Sequence, residues 1–225
     1  MIHKLDRWAW LGGVCLSFIA GMVNAVGYLS YAHQGVTHLT GTTTLAGLAL
    51  ARGHVLEYLH LSLLVLAFAG GAAVSGFILR HATLRLGRRY GLVLFLESLL
   101  LLAAAHWMTL HREGGSYFAS MACGLQNAMA STYSGAVLRT THVSGMITDL
   151  GIAVGHWLRR LEVDALRLRL YALLVSSFFL GGLAGAGLFQ RLAAHTLYVP
   201  AAITGVTAAL YSFYAHLRHV RPPRA

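Results

Sequence analysis
Residues 8–30 read WAWLGGVCLSFIAGMVNAVGYLS, a run without one charged side chain, and residues 37–51 read THLTGTTTLAGLALA, shorter and rich in threonine and glycine. A bilayer core takes roughly 20 apolar residues per crossing helix, so the first stretch is long enough to span and the second falls short. Runs of the first kind recur at about 58–80, 90–111, 115–136, 169–191 and 196–217, and a second short Gly/Thr/Ser-rich stretch lies at 141–158. This pattern predicts an all-α integral membrane protein, with six transmembrane helices plus two re-entrant half-helical segments.

The composition agrees. Of 225 residues, 57% are hydrophobic and 11% charged, with a formal net charge of +10 and a mean hydropathy of +0.64. Soluble domains carry about 25% charged residues, so a water-facing surface cannot be built from this chain, and six spans leave no length for a separate soluble domain. The basic residues cluster between apolar runs, which reads as membrane topology rather than a nucleic-acid interface. No nucleic-acid partner is therefore expected. Cys15 and Cys123 fall inside apolar runs without metal or redox spacing and read as packing residues. Lys4 and Arg7 ahead of Trp8 imitate a signal peptide, but the run is too long for a signal core and lacks a clear cleavage site, so an uncleaved first span is expected.

Charge decides how the two short stretches sit, because cytoplasmic loops collect Lys and Arg. If all eight stretches crossed, 11 basic residues would lie inside and six outside. If residues 37–51 and 141–158 enter and return on one side, then Lys4, Arg7, the Arg80–Arg89 cluster, Arg139, Arg159, Arg160, Arg167, Arg169, Arg218, Arg221 and Arg224 all face inward, 14 against three. The second arrangement is preferred, with both termini cytoplasmic.

The two halves also resemble each other. Gly21-Met22-Val23-Asn24-Ala25 matches Gly124-Leu125-Gln126-Asn127-Ala128, and Thr37-His38-Leu39-Thr40-Gly41 matches Thr141-His142-Val143-Ser144-Gly145. Thr44, Gly47 and Ala49 continue the register against Thr148, Gly151 and Ala153, and Gly70-Gly71 against Gly181-Gly182. With three spans per half, the second half enters from the opposite face, so residues 1–111 and 112–225 form an inverted 3+3 repeat within one membrane domain.

Irregular backbone survives at membrane depth only where protein or water satisfies it. The short segments are therefore expected to meet inside the protein, with Thr40 and Ser144 as N-caps of half-helices. The first-turn N–H groups of Thr40, Gly41, Ser144 and Gly145 then favour an anion or carbonyl oxygen, or the hydroxyls serve the helix ends alone. Asn24 and Asn127 either line the pathway or bond across to a half-helix. His38 and His142 occupy matching places, while two histidines alone make a poor zinc site. The ionisable groups at depth are Arg139, Asp149 and Glu97, read as a charge-coupling or gating set or as a structural pair of Arg139 with Asp149 or Glu97. Glycines at 70–76 and 181–187 suit close helix crossing. No phosphate loop, nucleophile elbow, paired CxxC or HExxH occurs, so neither a catalytic residue nor a metal or cofactor is expected.

These blocks, with Arg139-Thr-Thr-His-Val-Ser-Gly and Thr148-Asp149-Leu150-Gly151, resemble the YoaK-type bacterial membrane proteins over nearly the whole chain. Ser144 stands where that family usually has Thr and keeps the hydroxyl. The resemblance implies a bacterial inner-membrane location and roughly six spans, and supplies no substrate. The functional expectation is a small-solute transporter or channel that binds its solute between the two half-helix N-termini near the bilayer midplane, favouring an anion, with the lipid bilayer as surroundings and homo-oligomerisation left open. The alternatives are a non-transporting scaffold or sensor, or a membrane-embedded enzyme acting on lipid.

Overall fold
Every apolar run and both short stretches become helices, because in a non-aqueous medium the helix alone satisfies its backbone within one segment. The computed structural model describes residues 7–30, 35–79 and 88–220, without the side chains of Arg7, Arg88 and residues 214–220. Eight α-helices run in chain order: α1 Arg7–Leu29, α2 Leu39–Ala51, α3 Val55–Leu79, α4 Arg88–Thr109, α5 Gly114–Ser134, α6 Val143–Leu158, α7 Ala165–Leu192 and α8 Tyr198–Val220. A 3-10 turn, Ala193–Leu197, joins α7 to α8. The described residues contain no strand. Of the basic residues in the charge pattern, Lys4, Arg80, Arg85, Arg221 and Arg224 lie outside the described residues, as do the side chains of Arg7, Arg88 and Arg218.

Among the described residues, four helical stretches are long and apolar enough to cross a membrane: Trp8–Leu29, Val55–Leu79, Arg89–Thr109 and Ala165–Phe213, the last containing α7, the turn and most of α8. α5 is not among them, although its 21 residues are long enough. Its sequence, GGSYFASMACGLQNAMASTYS, is too polar, and its burial explains why: Ser116, Ser120, Gln126 and Ser134 all turn into neighbouring helices. By contrast α3 turns Leu56 and Phe77 outward, 84% and 82% exposed, an apolar surface suited to lipid.

Local chemistry sets the ends. Asp164 caps α7 by accepting from the N–H groups of Leu166 and Arg167, both at 3.1 Å, as short polar side chains do at a helix start. α5 stops at Gly135, whose φ of 60° is the left-handed conformation that a terminating residue needs.

Packing is organised around two close helix crossings. Where α1 meets α7, Gly21 lies against the Phe178 carbonyl and Gly181 against the Phe18 carbonyl. Where α3 meets α5, Gly71 lies against the Met121 carbonyl and Gly124 against the Phe68 carbonyl. A Cβ at any of the four would overlap the facing oxygen, so only glycine admits backbone this close. Serines stitch the same crossings: Ser17 Oγ donates to the Leu174 carbonyl at 2.8 Å, and Ser120 Oγ to the Leu64 carbonyl at 2.9 Å. A third contact joins α4 to α8, where Ser98 Oγ donates to the Ala201 carbonyl at 2.8 Å, Gly91 faces Ser212 and Gly205 faces Ser98. Val23, Val26, Leu101, Ala104 and Leu197 fill the core between α1, α4, α5 and the turn.

Of the glycines expected at crossings, Gly71, Gly181 and Gly185 face neighbouring backbone, whereas Gly70, Gly76 and Gly187 face open space. Adjacent residues thus provide an internal control. Gly71→Val should cost at least the 1–3 kcal/mol typical of overpacking and lower the melting temperature of the detergent-solubilised protein, while Gly70→Val should melt like wild type. Equal melting of the two variants would remove the backbone contact between α3 and α5 as a determinant of the fold.

Candidate functional site
The site begins with two short connections, residues 35–38 leading into α2 and residues 138–142 leading into α6. Each is pinned by a serine already engaged at a helix crossing. Ser120 Oγ also reaches the Val36 carbonyl at 3.2 Å, and Ser17 Oγ reaches the Thr140 carbonyl at 3.3 Å. One hydroxyl thus holds both the crossing and the connection beside it. The residues before the two helices take nearly the same backbone conformation, φ −94° and ψ 59° at His38 and φ −92° and ψ 55° at His142.

These histidines, rather than Thr40 and Ser144, are the N-caps. The expected caps lie inside the first turns, so the helices start earlier than the hydroxyl pattern predicted. Neither His38 nor His142 makes a side-chain cap bond, and the first N–H groups of an α-helix have no partner within the helix. The carbonyls of Thr40 and Ser144 each accept a hydroxyl one turn on, from Thr44 and Thr148, both at 3.0 Å.

Gly41 and Gly145 each face a histidine ring. A Cβ on Gly41 would stand 2.8 Å from His38 Nδ1, and one on Gly145 would overlap the His142 ring. Each glycine makes room for the histidine folded over its own helix start, so its smallness is explained without a solute. His38 Nδ1 also lies 3.3 Å from the Tyr28 hydroxyl.

The matching asparagines differ. Asn24 Oδ1 accepts from the Thr37 N–H at 3.2 Å and from Thr37 Oγ1 at 2.9 Å, so it holds the connection into α2. Asn127 Oδ1 is buried without a hydrogen-bond partner, as is Thr140 Oγ1. The second half therefore keeps free hydrogen-bonding capacity where the first half has used it.

The ionisable residues separate into two places. Glu97 on α4 pairs with Gln126 on α5, whose Nε2 donates to Glu97 Oε1 at 2.8 Å. The expected alternative pairing of Glu97 with Arg139 is not formed. Asp149 on α6 lies beside Tyr171 on α7, with Arg139 and Arg167 also within electrostatic reach of that tyrosine. Among the described residues, Arg139 forms no ion pair with Asp149. α2 packs on α3 with Tyr117 of α5 alongside, and α6 packs on α7 with Trp10 and Val14 of α1. The two short helices do not form a packed pair with each other, and Thr40 and Ser144 are both exposed. Among the described residues there is no group of three or more His, Cys, Asp or Glu able to hold a metal ion.

Three participants escaped the sequence reading. Ser17 and Ser120 look like ordinary serines in apolar runs, and nothing in one sequence marks which carbonyl a hydroxyl will reach. Gln126 carried a signal, since it stands where the matching block has Val23.

One protein-family profile, described as a protein of unknown function (DUF1275), matches residues 12–210. The chain belongs to the DUF1275 family. The YoaK-type proteins are within it, which bears out the resemblance in the Gly124–Ala128 and Arg139–Gly145 blocks. No curated protein and no solved structure matches this DUF1275 chain.

The different state of the two asparagines is measurable. Asn24→Ala orphans a buried N–H and a hydroxyl, each worth about 1–3 kcal/mol when a partner is removed, and should lower the melting temperature clearly. Asn127→Ala removes an oxygen that holds nothing and should leave melting nearly unchanged. Equal losses in the two variants would contradict this asymmetry.

Proposed function
We propose that this DUF1275 protein is a small-solute transporter or channel of the bacterial inner membrane, favouring an anionic solute. In this reading α1, α3, α4, α5, α7 and α8 cross the bilayer, α2 and α6 are half-helices that enter from opposite faces, and residues 1–111 and 112–225 form an inverted repeat. Several paired observations support it. Gly21 and Gly124, Ser17 and Ser120, and His38 and His142 occupy matching positions and make matching contacts. The α4–α8 contact is self-complementary, glycine to serine in both directions.

The observation that carries the solute reading is the pair of uncapped helix starts, each rigidly held by a serine from another helix. Free N–H groups and the positive end of the helix dipole attract negative charge. Helices that end inside the membrane present these groups to substrates in several transporter folds. The solute is expected to contact Thr40 and Gly41 or Ser144 and Gly145.

An acidic residue in the first helical turn stabilises the helix while occupying the place of an anion. Thr40→Asp and Ser144→Asp should therefore melt like wild type or slightly higher, yet lose at least tenfold in solute uptake by reconstituted liposomes. The solute is chosen by a prior thermal-shift screen of small anions and amino acids. Normal uptake by both variants would rule out the helix starts as the solute site, and a screen with no stabilising solute would favour the scaffold reading.

Topology has its own test. In a background lacking Cys15 and Cys123, single cysteines at Arg52 and Arg112 should react with an impermeant reagent in intact cells. Cysteines at Arg89 and Arg160 should react only after permeabilisation. Labelling of Arg89→Cys from outside would sink the six-span arrangement.

A further inference from the structure
We propose that Glu97 and Gln126 form a proton-binding site within the membrane, in which Glu97 is carried as a carboxylic acid whose O–H donates to Gln126 Oε1. Both side chains are 1% exposed. Gln126 Nε2 donates to Glu97 Oε1 at 2.8 Å, and the two remaining oxygens, Glu97 Oε2 and Gln126 Oε1, are buried with no hydrogen-bond partner. Two acceptors without a donor are costly in an apolar interior. One proton on Glu97 Oε2 satisfies both, because the acid O–H becomes the donor for the amide oxygen. The result is a closed ring of two hydrogen bonds, amide to acid and acid to amide. Protonation adds one proton to the carboxylate and breaks no bond.

The surroundings favour a proton over a metal cation. Val93, Leu94 and Leu101 flank Glu97 on its own helix, and Leu125 and Met129 flank Gln126, all of them buried. Hard cations gather six or more oxygens, and this apolar shell supplies too few. Among the described residues no Lys, Arg or His forms an ion pair with Glu97. Titratable groups on the elements packed against it include Cys123 on α5, which is within electrostatic reach of the carboxyl, and Tyr90, Tyr133 and Tyr211 on α4, α5 and α8, which lie around the neighbouring Val93–Leu94 cluster. His195 lies in the turn that packs toward Met108 at the far end of α4. Neither a thiol nor a phenol offers the positive charge that would hold Glu97 as a carboxylate.

Packing alone does not require this pair. Val23 occupies the position in α1 that matches Gln126 and is buried in the ordinary way, so an aliphatic residue suffices there. A polar pair kept at membrane depth without a structural need points to an ion or proton path. Under the transport reading, on which this role rests, loading and release of this proton couples solute movement to the proton gradient.

The test reads the proton directly, on the full chain in lipid nanodiscs. Infrared spectra at neutral pH should show the C=O band of a protonated carboxylic acid, sensitive to deuterium exchange. The band should be absent from Glu97→Gln, shifted in Gln126→Leu and bleached as pH is raised below the melting limit. If Glu97→Gln fails to fold, Glu97→Asp provides the assignment through a displaced band. Absence of the band in the wild type overturns the site, as does a band that survives unchanged until the protein melts, or one removed by sodium at constant pH. In liposomes, an inward proton gradient should raise solute uptake several-fold in the wild type and not in Glu97→Gln. A titrating band in a protein that moves no solute upholds the proton site and removes the transport reading. Gradient-independent uptake without the band overturns the proton site and leaves transport in place.

Discussion
The approach of backbone to backbone at Gly21–Phe178, Phe18–Gly181, Phe68–Gly124 and Gly71–Met121 fixes everything else in this protein. In lipid, burying apolar side chains gains little, because the tails are as apolar as leucine. Cohesion has to come from contact area and from hydrogen bonds between helices. Glycine permits the contact, and the serines use it: Ser17 and Ser120 can reach carbonyls on a neighbouring helix only because the helices lie so close. The same hydroxyls then reach Thr140 and Val36, so the placing of α2 and α6 depends on two glycine crossings formed elsewhere in the chain.

This dependence separates rigidity from reactivity. The connections into α2 and α6 are held from outside by α5 and α1, so the placing of the short helices does not depend on a side-chain cap at their starts. Their N–H groups need no side-chain cap, since their position is already determined. Asn24 adds a second tie on one side through Thr37, whereas Asn127 adds none on the other. On the α6 side the second tie comes instead from Ser134, whose Oγ accepts from the Leu138 N–H at 2.7 Å, and the polar neighbours Asp149, Tyr171 and Arg139 gather charge there.

Much of the architecture was legible in the sequence, because apolar length and the backbone's need for internal hydrogen bonds leave little freedom. All eight helices fall where the apolar and Gly/Thr-rich stretches placed them, and the chain is all-helical among the described residues. The site was less legible. A threonine or serine before a helix normally reads as its cap, yet here a histidine two residues earlier takes that place and a glycine clears room for its ring. The charge partners were misjudged because sequence spacing says which residues share a helix face but not which neighbour that face meets. Glu97 therefore found Gln126 rather than Arg139. The comparison of Val23 with Gln126 shows that a difference between two matching blocks can carry more information than their similarity.

The polarity of α5 bears on the order in which the chain is assembled. A helix with serine, glutamine and asparagine along its faces partitions poorly into lipid by itself. It is held once its partners α3 and α4 are present, and both precede it in the chain. α1 has the opposite problem, since its partner α7 is made more than a hundred residues later, and it is apolar enough to wait alone in the bilayer. α1 and α5, alike in their glycine crossings, differ in composition because one must be stable before its companion exists and the other need not be.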